Sequence, residues 1–581
     1  MSEATATMAG QPTGRQHVGR GELWAALSGF KREFWSVGLF SLSANAMNLA
    51  PSLYMLQVYD RVMVSQSGLT LLFSTMILVV MLGLMGFFEW ARSRLLVRVG
   101  VRIDERLSPR LFHACFDEQL KQASLNPTQA FSDLTNLRQF LTGNGVFAFF
   151  DAPWLPIYLA VLFLLHPLLG WLGVTFAVIL TVVAWVSHRL TSSPIHKSLH
   201  TGLHVVDHQQ ANLVNAEVIE ALGMLPALHK RWWTRYREHM ASQGRVDELT
   251  HRLSAATKFL RYTQQSLSLG AGGWLVIHGE LSPGAMIAGN ILMTRALQPI
   301  DLLVNTWKAF VSARTAFDRL AHLVETQTLR EQGDLVQVPL GCIALSNVTA
   351  HAPGRTEPIL DQVNLNIAAG SLVCVVGPSG SGKSTLARAM LGLWPDLSGQ
   401  VHFDGVPLGQ WHRTALGRHL GYLPQDVELM AGSLAQNIAR FGELDSERVI
   451  AAARRADVHE LILRFPNGYD TFIGESGHLL SAGQRQRVAL ARALYGEPTV
   501  IVLDEPNANL DDAGEAALVR VLLDLKAQGK TVVLMTHRLD ILKVVDRVVV
   551  LNHGRVVQDS SAQVFLSQRA AIARAPSTPK T

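Results

Sequence analysis

The chain has 581 residues, of which 48% are hydrophobic and only 17% charged. Soluble domains carry about 25% charged residues, so a wholly soluble protein is excluded, and the length calls for two or more domains. The net charge of +5 does not point to nucleic acid, because the basic residues, Arg92, Arg94, Arg98, Arg102, Arg106, Arg110, Lys121 and Arg138 among them, gather beside apolar runs. The short connections on the other side hold almost none, a positive-inside pattern that puts the N-terminus in the cytoplasm.

Residues 1–34 read as a mobile cytoplasmic N-terminus. No signal peptide is evident, since the first long apolar run begins near Trp35 and exceeds an h-region. A spanning helix needs about 20 mostly apolar residues. Six such stretches fill residues 35–306: Ser36–Gln57, Gly68–Glu89, Val146–His166, Leu168–Ser187, Phe259–His278 and Pro283–Val304. The connections after the second and fourth are long and helically periodic. Their tips are expected near Gln119–Thr128 and Gly223–Trp233, each with a helix-breaking proline, Pro127 and Pro226.

Polar residues inside the apolar stretches leave two readings open. Ser41, Asn45, Asn48 and Ser52 lie on one face of the first span, and Arg295, Gln298 and Asp301 on one face of the sixth. The first stripe either lines a path or joins helices, and that of the sixth span either lines a path or forms an internal ion pair. His196, His200, His204 and His208 recur every four residues, a spacing that drifts around a helix and suits a solvated stripe better than a metal site. The cysteines Cys115, Cys342 and Cys374 are too scattered for a disulfide framework or a metal knuckle.

Residues 307–335 form a charged amphipathic linker, and residues 336–566 a soluble domain. There the β-branched runs Leu372–Val376, Val500–Leu503 and Thr531–Met535 alternate with helical patterns, which predicts a parallel sheet in α/β layers. The tail, 567–581, is rich in Ala, Pro, Ser and Lys and is expected to be disordered.

Three strings in this second half carry chemistry. Gly377-Pro378-Ser379-Gly380-Ser381-Gly382-Lys383-Ser384 follows a strand and matches G-x-x-x-x-G-K-[ST]. Its glycines let backbone N–H groups close on phosphate oxygens, and the next helix adds its positive end. Lys383 is placed to reach the β- and γ-phosphates, and the Ser384 hydroxyl to hold Mg²⁺. Leu480-Ser481-Ala482-Gly483-Gln484 heads a helix whose dipole suits a phosphate. Val500-Ile501-Val502-Leu503-Asp504-Glu505 ends a buried strand with two carboxylates. Asp504 is read as facing the metal, and Glu505 as polarising the attacking water.

In this order the strings resemble the nucleotide-binding domain of an ABC (ATP-binding cassette) ATPase. The fold implied is an all-α membrane domain of six helices, of ABC exporter type, followed by an α/β P-loop ABC domain. The resemblance implies ATP and Mg²⁺ as ligands, with Thr385 completing the phosphate loop. It implies that Gln425, in Tyr422-Leu423-Pro424-Gln425-Asp426, touches Mg²⁺ and water. His537 matches the histidine on the γ-phosphate, so the catalytic set is Glu505, His537, Gln425 and Lys383, and the metal set Ser384, Gln425 and Asp504. Ser481, Gly483 and Gln484 are implied to meet ATP held by a second cassette, and Asp511 to lie in a loop crossing the dimer interface. One cassette per chain then implies a homodimer. One departure concerns the base: Ala352 stands where an aromatic residue is expected to stack on adenine, so His351 substitutes or the adenine is held weakly.

Phe140-Leu141-Thr142-Gly143 and Phe147-Ala148-Phe149-Phe150-Asp151-Ala152-Pro153-Trp154-Leu155-Pro156-Ile157-Tyr158-Leu159 look like the permease/ATPase of type I secretion systems, in the group that exports proteases, lipases and haemophores. That resemblance implies export of an unfolded polypeptide with an uncleaved C-terminal signal. The route would cross the bacterial inner membrane, through a periplasmic membrane-fusion adaptor and an outer-membrane channel. It also implies hairpin tips that dock on the ATPase. No cysteine precedes the first span, so a leader-cutting protease domain is not expected. The competing expectations are an exporter of lipid, drug or peptide with the same architecture, a soluble ABC ATPase, and a non-hydrolysing regulator.

Overall fold

The computed structural model describes residues 18–121, 127–326, 333–352, 354–474, 479–538 and 540–574. The chain divides into two compact units, residues 1–119 with 124–329, and residues 120–123 with 330–581.

The first unit is helical throughout its described residues. It opens earlier than expected, with a helix at Val18–Ser28. Leu23, Ala26 and Phe30 fall at helical spacing and are buried against Val99, Ile103 and Leu107. Residues 18–34 are thus largely helical with Leu23, Ala26 and Phe30 buried, where a mobile segment was expected. The first span is interrupted: helix Lys31–Met47 gives way to Ala50–Gln57 and a π-helical turn at Val58–Val62. The break precedes Pro51, whose ring and missing N–H favour the first turn of a new helix. The third is broken likewise, with a 3₁₀ turn at Ala152–Trp154, around Pro153, between helices Asn144–Asp151 and Leu155–Leu165.

The remaining helices are far longer than a bilayer requires. Gly68–Leu120 runs for 53 residues, about 80 Å at 1.5 Å per residue. Pro167–Val214 and Leu225–Ile277 are of similar length. Between them the second tip turns at Leu222–Met224, with Gly223 at φ +62°. Residues 122–126 of the first tip lie outside the described residues. The last helix, Pro283–Thr326, continues through most of the segment expected to be a linker. By length and apolarity, Gly68–Leu120, Gln129–Leu165 and Pro167–Gly202 qualify as membrane spans among the described residues. The first stretch is too broken to qualify, and the fifth and sixth are diluted by residues such as Gln264, Gln265, Arg295 and Asp301.

The second unit is built on a six-stranded sheet in the order Arg555–Ser561, Arg547–Asn552, Leu372–Val376, Thr531–Met535, Val500–Asp504, Leu420–Leu423. All neighbours are parallel except the first pair. Its central strands are buried on both faces, as parallel strands are. Leu372, Cys374, Ile501, Leu503, Val532 and Leu534 face one core. Val373, Val375, Val500, Val502, Val533 and Met535 face the other, which is the period-two alternation of a strand. Burial pushes the Cys374 thiol up to about 12, so it is an inert packing residue. A four-stranded antiparallel sheet, ordered Pro358–Ile367, Ile343–His351, Leu397–Phe403, Val406–Pro407, completes the unit. The last helix reaches Arg574, buries Ala562 and Phe565, and so moves the start of the tail beyond residue 566.

Candidate nucleotide-hydrolysis site

The carboxyl ends of three parallel strands converge on one spot, where open α/β sheets bind ligands. Strand Leu372–Val376 feeds the glycine loop, Val500–Asp504 delivers the two carboxylates, and Thr531–Met535 leads to His537. The loop turns where only glycine fits. At Gly377 a Cβ would run into the Leu551 carbonyl, and Gly382 sits at φ +101° just before helix Lys383–Met390. Pro378, Ser379 and Gly380 form its exposed rim. Ser381 and Thr385 are buried beneath it. Lys383 is only 7% exposed, and its ammonium donates to the carbonyls of Gly377 at 2.9 Å and Pro378 at 3.0 Å. A fixed positive charge thus lies within the loop.

A chain of polar contacts joins the residues nominated from the sequence. The Ser384 hydroxyl donates to Gln425 Oε1 at 3.3 Å, and Gln425 Nε2 donates to Glu505 Oε2 at 3.2 Å. His537 Nδ1 lies 3.6 Å from Glu505 Oε1. Asp504 is 1% exposed, and its Oδ1 is buried without a hydrogen-bond partner among the described residues. Burial raises its carboxyl above the ordinary range, and the Glu505 charge adds to this. The Ser384 hydrogen bond, with Arg388 and Lys383, opposes the rise. Ser384 Oγ, Gln425 Oε1 and the orphaned Asp504 oxygen are the hard donors that Mg²⁺ prefers, so the residues present fit that ion.

Four nominated residues stand apart from this chain and have local roles. Ser481 caps helix Ala482–Leu494 in a capping box: its hydroxyl accepts from the Gln484 N–H, and Gln484 Oε1 accepts from the Ser481 N–H. Asp511 caps helix Asp512–Ala527 by accepting from the Gly514 N–H at 2.9 Å. No hydrogen bond or ion pair joins Ser481, Gly483, Gln484 or Asp511 to the Lys383–His537 set among the described residues.

Sequence reasoning missed a second layer. Gln486, 2% exposed, donates to the Glu505 carbonyl at 3.2 Å. The Thr536 hydroxyl donates to buried Asn507 Oδ1 at 3.1 Å. A helical wheel flags Gln486, because it shares a face with buried Leu490 and Ala493. Nothing in the pattern flags Asn507.

In the first unit the polar stripe of the first span turns inward. Ser41 accepts from Arg92 Nη1 at 3.1 Å, Asn45 Nδ2 donates to Asp151 Oδ1 at 2.6 Å, and the Tyr158 hydroxyl donates to the Asn45 carbonyl. Arg92 also pairs with Asp151 at 3.6 Å and lies over the Phe147 ring. Ser41, Asn45 and Ser52 are buried. Ser41 and Asn45 thus make contacts between helices, while Asn48 Oδ1 and the Ser52 hydroxyl are buried without a hydrogen-bond partner among the described residues. Asp301 pairs with Arg261 at 3.7 Å, whereas Arg295, hydrogen-bonded to Gln298, lines a small cavity of about 90 Å³ with Asn45, Asp151 and Tyr158. Among the described residues no His, Cys, Asp and Glu group is arranged to hold a metal. The side chains of His204 and His208 lie outside the described set.

Comparison with known proteins agrees with this architecture. Residues 34–300 match the ABC transporter transmembrane region, and residues 360–508 match the ABC transporter family. The chain is 42% identical to the type I secretion system ATP-binding protein PrsD of Rhizobium meliloti, over 94% of each protein. It is 30% identical to the leukotoxin translocation ATP-binding protein LktB of a Pasteurella haemolytica-like species, over 92% of this chain and 77% of that one. A bacterial Atm1-family ABC exporter, solved with ATP bound, shares the fold at a TM-score of 0.80 and 22% identity, over 95% of this chain and 99% of that chain. A P-loop, a signature-headed helix and a twin-carboxylate strand end follow a helical membrane unit, and a relative is this similar over nearly the whole chain. The chain therefore belongs to the ABC transporters, among the ATP-binding proteins of type I secretion.

Proposed function

We propose that this chain hydrolyses ATP to drive an unfolded protein, recognised by an uncleaved C-terminal signal, across the bacterial inner membrane. It acts as a homodimer with the N-terminus and ATPase unit in the cytoplasm, and hands its cargo to a periplasmic adaptor and an outer-membrane channel. The observation that carries this reading is the 42% identity to a type I secretion ATP-binding protein over 94% of the chain. The contact chain from Ser384 through Gln425 and Glu505 to His537 supports hydrolysis over mere nucleotide storage.

The placement of these residues supports the following roles. Lys383 and the loop N–H groups hold the phosphates. Ser384, Gln425 and Asp504 would hold Mg²⁺, which would supply charge neutralisation on the phosphates. Glu505 accepts a proton from the attacking water, and Gln425 and His537 orient its carboxylate. The head of helix Ala482–Leu494 offers N–H groups to the nucleotide of the other subunit.

The deciding experiment measures ATPase of the full chain in vesicles. Stimulation by a C-terminal secretion-signal peptide is expected. Stimulation by lipid or drug alone, with none by the peptide, overturns the protein-export reading in favour of an exporter of small substrates.

A further inference from the structure

Helix Ala482–Leu494 makes two close contacts on one face. Gly483 and Gln486, three residues apart, point the same way. At Gly483 the helix lies so near the Asn509 carbonyl that a Cβ would come within 2.5 Å of it. One turn on, Gln486 Nε2 reaches the carbonyl of Glu505 at 3.2 Å. The helix is thus seated directly on the segment that starts with the base.

The base has an unusual backbone. Glu505 is at φ +49°, in the left-handed region, which residues with a Cβ occupy only when their surroundings hold them there. Three hydrogen bonds do so. The Glu505 N–H donates to the Met535 carbonyl at 2.9 Å, and the Glu505 carbonyl accepts from the Ala508 N–H at 3.0 Å as well as from Gln486. Two of these are local or lie between adjacent strands. Gln486 alone comes from the helix headed by Leu480–Gln484. An amide 2% exposed sits on a face otherwise completed by Leu490 and Ala493, where a polar side chain is rarely buried unless it is hydrogen-bonded.

We propose that Gln486 is a positioning residue for the hydrolytic base. It ties the strained Glu505 peptide to the seat of the signature helix, so a shift of that helix turns the carboxylate toward or away from Gln425 and His537. The second half rests on the homodimer reading above. There the head of the same helix meets the other subunit's nucleotide, and Gln486 makes the base of one site answer to the occupant of the other.

The test uses the full-length chain in lipid nanodiscs. Gln486→Met removes the donor at nearly constant size, and Gln486→Lys returns a donor of similar reach. For Q486M, kcat is expected to fall about tenfold or more, while KM for ATP and the affinity for a fluorescent ATP analogue change less than about threefold. The Hill coefficient for ATP falls toward one, and Q486K recovers a substantial part of kcat. A Q486M kcat within about twofold of the parent overturns the proposal. So does a loss that Q486K does not restore, or one matched by lost nucleotide affinity, since either marks a packing role. A restored kcat with an unaltered Hill coefficient overturns the coupling half alone. Failure of the dimer reading looks different: the parent itself then gives a Hill coefficient of one, and ATP does not associate its subunits.

Discussion

Two adjacent carboxylates, Asp504 and Glu505, have different surroundings, which supports the different tasks proposed for them. Asp504 is enclosed and carries an oxygen with no hydrogen-bond partner. Glu505 reaches Gln425 and His537. Glu505→Gln keeps the shape and removes the proton acceptor, so turnover is expected to drop by about 10²–10⁴-fold with ATP binding retained, as read by phosphate release and nucleotide binding. Asp504→Asn has the opposite character. Its carboxyl is raised in the fold, so the native state holds a proton that the unfolded chain releases, and the group's contribution to stability falls as pH rises through the raised value. At pH 7 D504N is therefore expected to melt higher than the parent without ligand, yet to gain nothing from Mg²⁺ with ATP. In the parent, Mg²⁺ affinity weakens as pH is lowered toward the raised Asp504 value, above the range of a free carboxylate. Calorimetric melts with and without Mg²⁺–ATP check both statements. These side chains were legible in the sequence because each stands at a fixed offset from a strand end. The partners of Gln486 and Asn507 were not, because they are backbone or hydroxyl groups that no spacing rule encodes.

At the scale of elements, the signature helix is held at both ends. Its head is closed by the Ser481–Gln484 box. Its tail is held by Arg440, which donates to the carbonyls of Arg492 at 2.9 Å and of Ala493, Gly417 and Leu420 at 3.0 Å. Arg440→Met leaves these carbonyls without their donor and is expected to lower stability by about 3 kcal/mol, read as a fall in the denaturation midpoint with the slope unchanged. The long helices and the parallel strands were readable, the first from sustained periodicity between short turns, the second from β-branched runs buried on both faces. The helix Val18–Ser28 was not, because Leu23, Ala26 and Phe30 are too few to stand out among polar neighbours, and their core comes from residues far along the chain, Val99, Ile103 and Leu107 among them. The interruptions near Pro51 and Pro153 escaped a reading that scored apolar length alone.

For the molecule as a whole, the residues divide into a set assembled within one chain and a set that is not. Lys383, Ser384, Gln425, Asp504, Glu505 and His537 belong to the first. Ser481 and Asp511 occupy helix caps with no hydrogen bond or ion pair to it among the described residues. Under the homodimer reading proposed above, a second chain completes a site split in this way. E505Q with ATP is accordingly expected to elute as a dimer at concentrations where the nucleotide-free protein dissociates, seen by light scattering. An active monomer at saturating ATP would refute the pairing.

The helix Gly68–Leu120 runs unbroken for 53 residues despite Pro109. A rod about 80 Å long that tilts by about 5° sweeps its far end through about 7 Å. Motions too slight to disturb side-chain packing at one end therefore emerge at the other as displacements wider than an extended polypeptide strand, with a proportionate loss of force. Such gearing favours wide, weak strokes, which suits the proposed passage of a limp chain better than the wrenching of a folded one.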